Sequence, residues 1–132
     1  MSSQKKRVVV TGMEIVSSIG SGIKPFWEAA SAGKCGIQRI QCFDPTPYTT
    51  QIGGEVQGFS LAHLPAFDRS ARYPKVAQYA LYCAHHAIEQ SGLSNVHLKQ
   101  AGTYIGTSLG GTPELEVAYE AFYRQGWEKI PA

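Results

Sequence analysis

Long apolar runs are absent from this sequence, and so is a strong excess of charge of either sign. A membrane-spanning helix needs about 20 mostly apolar residues in a row, and no run approaches that length. The N-terminus also lacks the apolar stretch of a signal peptide, so neither membrane insertion nor secretion is predicted. A formal net charge of +2, with the basic residues scattered, is too small to indicate a nucleic-acid partner.

Cysteine is scarce, with residues at positions 35, 42 and 83 only. An odd number without paired metal-ligand spacing indicates a reducing, cytoplasmic setting. Cys83 is close in sequence to His85 and His86, but positions i, i+2 and i+3 of a helix do not all face one way. Cys83 is therefore predicted to pack as a small apolar residue. Neither a metal nor a cofactor is predicted.

The glycine-rich runs lack the Gly-Lys-Ser/Thr ending of a phosphate-binding loop, which excludes that class of nucleotide site. Gly106 to Gly110 does read G-x-S-x-G, the pattern of a hydrolase nucleophile elbow, with Ser108 as nucleophile. The hydrolase triad places its histidine after the serine, whereas all four histidines here precede Ser108. In a nucleophile elbow the following helix begins at the serine. The capping pair Thr112-Pro113 instead predicts that the helix begins several residues after Ser108.

The N-terminal segment predicts the first half of a βαβ unit in an α/β fold. Val8, Val9 and Val10 are consecutive β-branched residues, which favour a strand buried on both faces. A serine- and glycine-rich stretch to Gly22 predicts a flexible turn. Pro25 then suits the first helical position, and the helix is expected to end near Gly33.

The middle of the chain is predicted as a surface loop over residues 35–48, then a short strand within residues 51–57. The strongest periodic signal follows, because apolar residues over Lys75 to Ser91 recur at helical spacing. Gly92 supplies the helix end. Thr103 to Ile105 predicts a second core strand, and a further helix should run from Thr112-Pro113 to Gly126.

Several motifs, in order, resemble the β-ketoacyl-ACP synthases, the condensing enzymes of fatty-acid and polyketide synthesis, and in particular their synthase II members. The family's N-terminal V-T-G-L/M-G-x-V-S-P-x-G is similar to VVVTGMEIVSSIG here, with Glu14 in place of Gly and Ser18 in place of Pro. Phe43-Asp44 and Tyr48 match its F-D…Y spacing. The remaining matches are QYA with AIEQSGL in the long helix, and GTSLGG for G-S-G-I-G-G.

The resemblance implies decarboxylative Claisen condensation of an acyl thioester with malonyl-ACP, an acyl carrier protein as partner, and a homodimer when complete. It also implies a thiolase-like α-β-α-β-α layered fold, of which residues 1–132 would form an incomplete N-terminal half. In the family the active cysteine sits in a T-A-C-[SA]-[ST] motif and two histidines lie further on; neither feature is present here. This chain alone is therefore predicted to be inactive, with exposed apolar faces and an open sheet edge.

Three residues take site roles from the resemblance. Leu109, in GTSLGG, would line the floor of the acyl pocket, or alternatively pack as a core leucine between strand and helix. Arg69 and Arg72, before the long helix, would dock the acidic carrier protein, or alternatively belong to a solvated loop. Two other readings of the whole chain remain open: a non-catalytic or split partner subunit that completes its fold with a second chain, and an unrelated α/β binding module.

Overall fold

A computed structural model describes residues 6–61 and 73–130. These residues form a mixture of helices and short strands, as the sequence predicts. The helices are α1 (Ile23–Ser31), α2 (Lys75–Ser91), α3 (Asn95–Leu98) and α4 (Thr112–Gln125), followed by a 3-10 turn (Trp127–Lys129). The strands are β1 (Val16–Ser17), β2 (Gly20–Ser21), β3 (Ile37–Arg39) and β4 (Ile52–Gly54). Within the described ranges, no helix is long and apolar enough to cross a membrane.

The first two strands form a tight antiparallel hairpin. Val16 lies opposite Ser21, and Ser17 lies opposite Gly20. The Ser17 hydroxyl donates a hydrogen bond to the carbonyl oxygen of Gly20 at 2.8 Å, which closes the turn. Gly22 follows with φ 98°, a backbone conformation that favours glycine. The segment predicted as a flexible turn therefore contains an ordered hairpin.

Helix α1 confirms the predicted helix and its end, but begins earlier than expected. Pro25 is its third residue rather than its first, which the first turn tolerates because those N–H groups have no intrahelical acceptor. After the C-cap Ala32, Gly33 takes φ 68° and its N–H donates to the Ala30 carbonyl oxygen at 3.0 Å. This is the left-handed ending for which glycine is suited.

Strands β3 and β4 pair with each other in antiparallel register, Ile37 opposite Gly54 and Arg39 opposite Ile52. The strand predicted within residues 51–57 is confirmed. The loop predicted over residues 35–48 is wrong at β3, because Ile37–Arg39 is strand. Its partner lies more than ten residues further along the chain, so no local pattern marks the pairing.

Helix α2 has the bounds that the apolar periodicity predicts. It ends at Gly92, whose φ of 64° is left-handed and whose N–H donates to the Glu89 carbonyl oxygen at 3.3 Å. The backbone N–H of Met13 donates to Oε1 of Gln90 at 3.0 Å. The N-terminal segment therefore contacts the C-terminal part of α2.

Helix α4 begins at Thr112, with Gly111 as its N-cap at φ 87°. The predicted cap at Thr112 is thus displaced by one residue. Pro113 lies in the first turn and Gly126 ends the helix, both as predicted.

The two predicted core strands do not form among the residues that the structure describes. Residues 8–10 and 103–105 have no strand pairing within the described part of the chain, and Val8 and Tyr104 are 93% and 96% exposed. β-Branched and aromatic residues suit a sheet, but a strand forms only where another strand accepts and donates its backbone hydrogen bonds. The sheets of the described residues are two antiparallel pairs, so the predicted βαβ unit is not formed here.

Burial is slight. Leu61, 3% exposed, is the buried hydrophobic residue of the described ranges, whereas more than twenty large apolar side chains are exposed. The chain exposes 11148 Å², against roughly 6800 Å² expected for a folded monomer of this mass. The chain therefore leaves much of its apolar surface exposed, which agrees with the exposed apolar faces predicted from the sequence.

Candidate functional site

The glycine-rich segment before α4 forms a tight turn against the start of α2. A Cβ placed on Gly110 would lie 2.6 Å from Oγ1 of Thr107 and 2.8 Å from Cγ2 of Val76. The backbone therefore approaches α2 as closely as only glycine allows. The carbonyl oxygen of Leu109 accepts hydrogen bonds from the hydroxyl and the N–H of Thr112, which join the turn to the first turn of α4.

Leu109 projects from this turn and is 82% exposed. It does not pack as a core leucine within the described residues. Ser108 precedes the start of α4 by four residues, so the helix does not begin at this serine as an elbow requires.

Helix α2 presents two different faces. On one, Tyr79 and Tyr82 contact the ring of Phe59, with centroid distances of 4.8 and 5.4 Å. The other carries small residues and leaves an apolar cavity of about 510 Å³ against residues 103–105. Its lining consists of Tyr73, Ala77, Ala80, Leu81, Ala84, Thr103 and Ile105. The small side chains of this face leave open the space that the cavity occupies.

A second cavity, of about 630 Å³, lies where β4 meets the starts of α2 and α4. At its wall the Glu55 carboxylate accepts hydrogen bonds from the backbone N–H groups of Gln41 and Cys42, at 2.9 and 3.0 Å. The hydrogen bond between the Cys42 side chain and Glu55 raises the pKa of this thiol, with smaller contributions from burial and the charge of Glu55. Cys42 is therefore held as a thiol and is not an activated nucleophile.

Cys83 lies half-buried on α2. Burial first, and then the negative charge of Glu14, raise the pKa of its thiol. A reactive cysteine needs the opposite, a positive environment that lowers the pKa. The structure thus agrees with the prediction of a packing role for Cys83.

Three polar side chains of α2 meet on one turn. His85 Nε2 lies 3.4 Å from Glu89 Oε1, and His86 Nδ1 lies 3.1 Å from Glu89 Oε2. One potential ligand atom from each of the three lies within 4.8 Å of the others. Sequence reasoning grouped the two histidines with Cys83, its near neighbour, and missed Glu89. The signal that could have found it is the i, i+4 and i, i+3 spacing to Glu89, which places side chains on one helix face.

The other nitrogen of His86, Nε2, is buried and has no hydrogen-bond partner among the described residues. The imidazole ring meets the ring of Tyr82 edge-on, with centroids 4.5 Å apart. A buried polar atom without a partner costs about 1–3 kcal/mol.

The two arginines predicted to dock a carrier protein, Arg69 and Arg72, lie outside the described residues.

The arrangement of helices and strands is similar to part of a known solved structure. The chain superposes on a solved structure, the ishigamide ketosynthase/chain length factor, with a TM-score of 0.67 over 93% of this chain and 31% of that one. The two are 24% identical in sequence, so this likeness concerns the fold.

Residues 5–130 match the family described as beta-ketoacyl synthase, N-terminal domain, and the chain belongs to that family. It is 35% identical to 3-oxoacyl-[acyl-carrier-protein] synthase 2 of Coxiella burnetii, over 96% of this chain. It is 32% identical to the enzymes of the same name from Staphylococcus aureus strain N315 and Vibrio cholerae, over 97% and 96% of this chain. The chain spans 31% of the length of each of these three relatives. This membership confirms the resemblance seen in the motifs and overturns the reading as an unrelated module.

Proposed function

We propose that this chain supplies the N-terminal part of a 3-oxoacyl-ACP synthase, which condenses an acyl thioester with malonyl-ACP by decarboxylative Claisen chemistry in fatty-acid synthesis. The observation that carries the proposal is the family match over residues 5–130, together with 32–35% identity to three synthases. Residues 1–132 then act as one incomplete half of the thiolase-like layered fold. The exposed apolar surface supports this, since the rest of the fold would cover it.

The chain by itself is proposed to be inactive. Condensation needs a cysteine whose pKa is lowered, and both Cys42 and Cys83 have a raised pKa. The family's cysteine motif and its two later histidines have no counterpart in this sequence. The described histidines of α2, His85 and His86, both contact Glu89.

In the completed enzyme, Leu109 is proposed to form part of the floor of the acyl pocket, near the interface of a homodimer. Its support is geometric: an exposed bulky side chain on a glycine-rich turn fixed between α2 and α4. The partner is proposed to be an acidic acyl carrier protein, with Arg69 and Arg72 facing it.

A chimera tests the proposal most directly. Residues 1–130 of this chain replace the matching segment of the Coxiella burnetii synthase, and condensation of acyl-ACP with malonyl-ACP is followed by product mass. The chimera should condense, whereas the 132-residue chain alone should give no product. A folded chimera without activity would contradict the proposed role, and product from the chain alone, lost in Cys83→Ser, would contradict its inactivity.

A second candidate is a non-catalytic or split subunit that completes its fold with a separate chain. The excess of exposed apolar surface favours this candidate, because a second chain that packs against the surface would bury it. Co-expression of this chain with the remaining two-thirds of the Coxiella enzyme as a separate polypeptide tests it. Co-purification of the two at equal ratio supports a split subunit, whereas a chimera that is active while the two pieces stay apart contradicts it.

A further inference from the structure

The cluster of His85, His86 and Glu89 on α2 has no role in the proposed condensation. Its members come from one turn of one helix, so their mutual placement is set by a regular backbone. The Glu89 carboxylate faces both rings, with one oxygen 3.4 Å from His85 Nε2 and the other 3.1 Å from His86 Nδ1.

These separations are close to those of ligands around a small divalent ion. Tetrahedral Zn²⁺ with bonds of about 2.0–2.1 Å places its ligand atoms roughly 3.4 Å apart. The two contacts to Glu89 are 3.4 and 3.1 Å long and run to different carboxylate oxygens. One potential ligand atom from each of the three residues lies within 4.8 Å of the others.

The donor set also fits such an ion. Two imidazole nitrogens and one carboxylate oxygen are a combination that binds zinc in proteins and leaves the fourth position open. Imidazole favours zinc, copper and nickel over calcium or magnesium, which prefer oxygen ligands.

The surroundings permit entry of an ion. The His85, His86 and Glu89 side chains are 30%, 27% and 60% exposed, so an ion can reach them from solvent.

We propose that His85, His86 and Glu89 form a binding site for a divalent transition-metal ion, with Zn²⁺ the best match. The site is independent of the proposed condensing role. Closeness in sequence groups the two histidines with Cys83. In the structure they are instead grouped with Glu89.

Calorimetric titration of the 132-residue chain with ZnCl₂ tests this site. Wild type should bind one ion, and Glu89→Gln should weaken binding by at least about tenfold, since it removes the charged ligand. His85→Ala should have a similar effect. His97→Ala is the matched control: His97, in α3, contacts the N-cap residue Ser94, so its loss should leave Zn²⁺ affinity unchanged.

Two further measurements make the result decisive. Circular dichroism confirms that Glu89→Gln, an isosteric change at an exposed residue, keeps its helix content. Co²⁺ in place of Zn²⁺ then reports the ligands, because thiolate coordination gives an intense charge-transfer band that nitrogen and oxygen ligands do not. The proposal is overturned if wild type binds no Zn²⁺, if Glu89→Gln and His85→Ala bind as wild type does, or if the Co²⁺ spectrum shows that the ion sits on cysteine.

Discussion

A Cβ atom placed on Gly12 would lie 2.0 Å from the carbonyl oxygen of Ala87, so the N-terminal segment touches the backbone of α2 directly. A backbone atom of a helix cannot move aside as the end of a flexible side chain can. Gly12→Ala should therefore force the segment away from α2 and lower the free energy of unfolding by about 1–3 kcal/mol. Urea titration followed by helical circular dichroism measures the loss.

Gly106→Ala is the control for that substitution. A Cβ at Gly106 meets nothing within 4 Å, and its φ is not positive. Its urea midpoint should stay at the wild-type value. Equal midpoints for the two variants would show that the Gly12 contact does not stabilise the fold.

Glu55 should make the free energy of unfolding depend on pH. The hydrogen bond from the Cys42 thiol, followed by those from the backbone N–H groups of Cys42 and Gln41, holds the pKa of Glu55 below its ordinary value of 4.5. Its contribution is therefore present above about pH 4.5 and is lost as the pH falls through the lowered folded value. Glu55→Gln should be less stable than wild type at neutral pH, with a difference that shrinks in acid.

Urea titrations between about pH 7 and pH 3 measure that difference. Asp44 also has a lowered pKa, through hydrogen bonds from Thr46, so the comparison between wild type and Glu55→Gln is what isolates Glu55. Glu116→Gln, on the exposed surface of α4, serves as control. A gap between Glu55→Gln and wild type that stays constant with pH would rule out this role.

Leu109 should control acyl length in the chimera. Leu109→Phe should depress activity on long primers and spare short ones, and Leu109→Ala should do the reverse. Each buried CH₂ is worth ~0.8 kcal/mol, a factor of about four in rate per methylene that no longer fits. Leu115→Phe, an exposed leucine of α4, is the matched control. Equal loss on every primer length would mean that Leu109 only packs.

Charge reversal at Arg69 and Arg72 should raise the KM of the chimera for acyl-ACP on the order of tenfold, because the carrier is acidic. Activity on small acyl thioester analogues should stay as in the parent. Reversal of Lys24 and Arg124, two exposed cations elsewhere on the surface, controls for net charge. An unchanged KM for acyl-ACP in the Arg69/Arg72 variant would show that neither arginine contributes to carrier docking.

The sequence predicts best where structure is local. Helix α2 has its predicted bounds because its apolar stripe and Gly92 both act within a few residues. The strands at residues 8–10 and 103–105 fail because pairing depends on distant segments, and β3 is missed for the same reason: its partner β4 lies far along the chain.

The candidate site also has features that the sequence shows and features that only the structure shows. The sequence shows that the turn before α4 is rich in glycine, but the contact of Gly110 with Val76 of α2 is long-range and appears only in the structure. The meeting of Glu89 with two histidines depends on side-chain rotamers one turn apart, which closeness in sequence does not reveal. Arg69 and Arg72 rest on the family resemblance alone.

The exposure of Val8, Val9 and Val10 directly after Lys6 and Arg7 has a kinetic consequence. Unpaired β-prone residues invite cross-β association between copies, and adjacent like charges act as gatekeepers that keep the copies apart. Salt screens that repulsion, with a Debye length of about 10 Å at 0.1 M and 3 Å at 1 M. Light scattering of the isolated chain should therefore rise faster as ionic strength increases. Reversal of all three neighbouring cations, Lys5, Lys6 and Arg7, to Glu should retain the protection because like charges still repel.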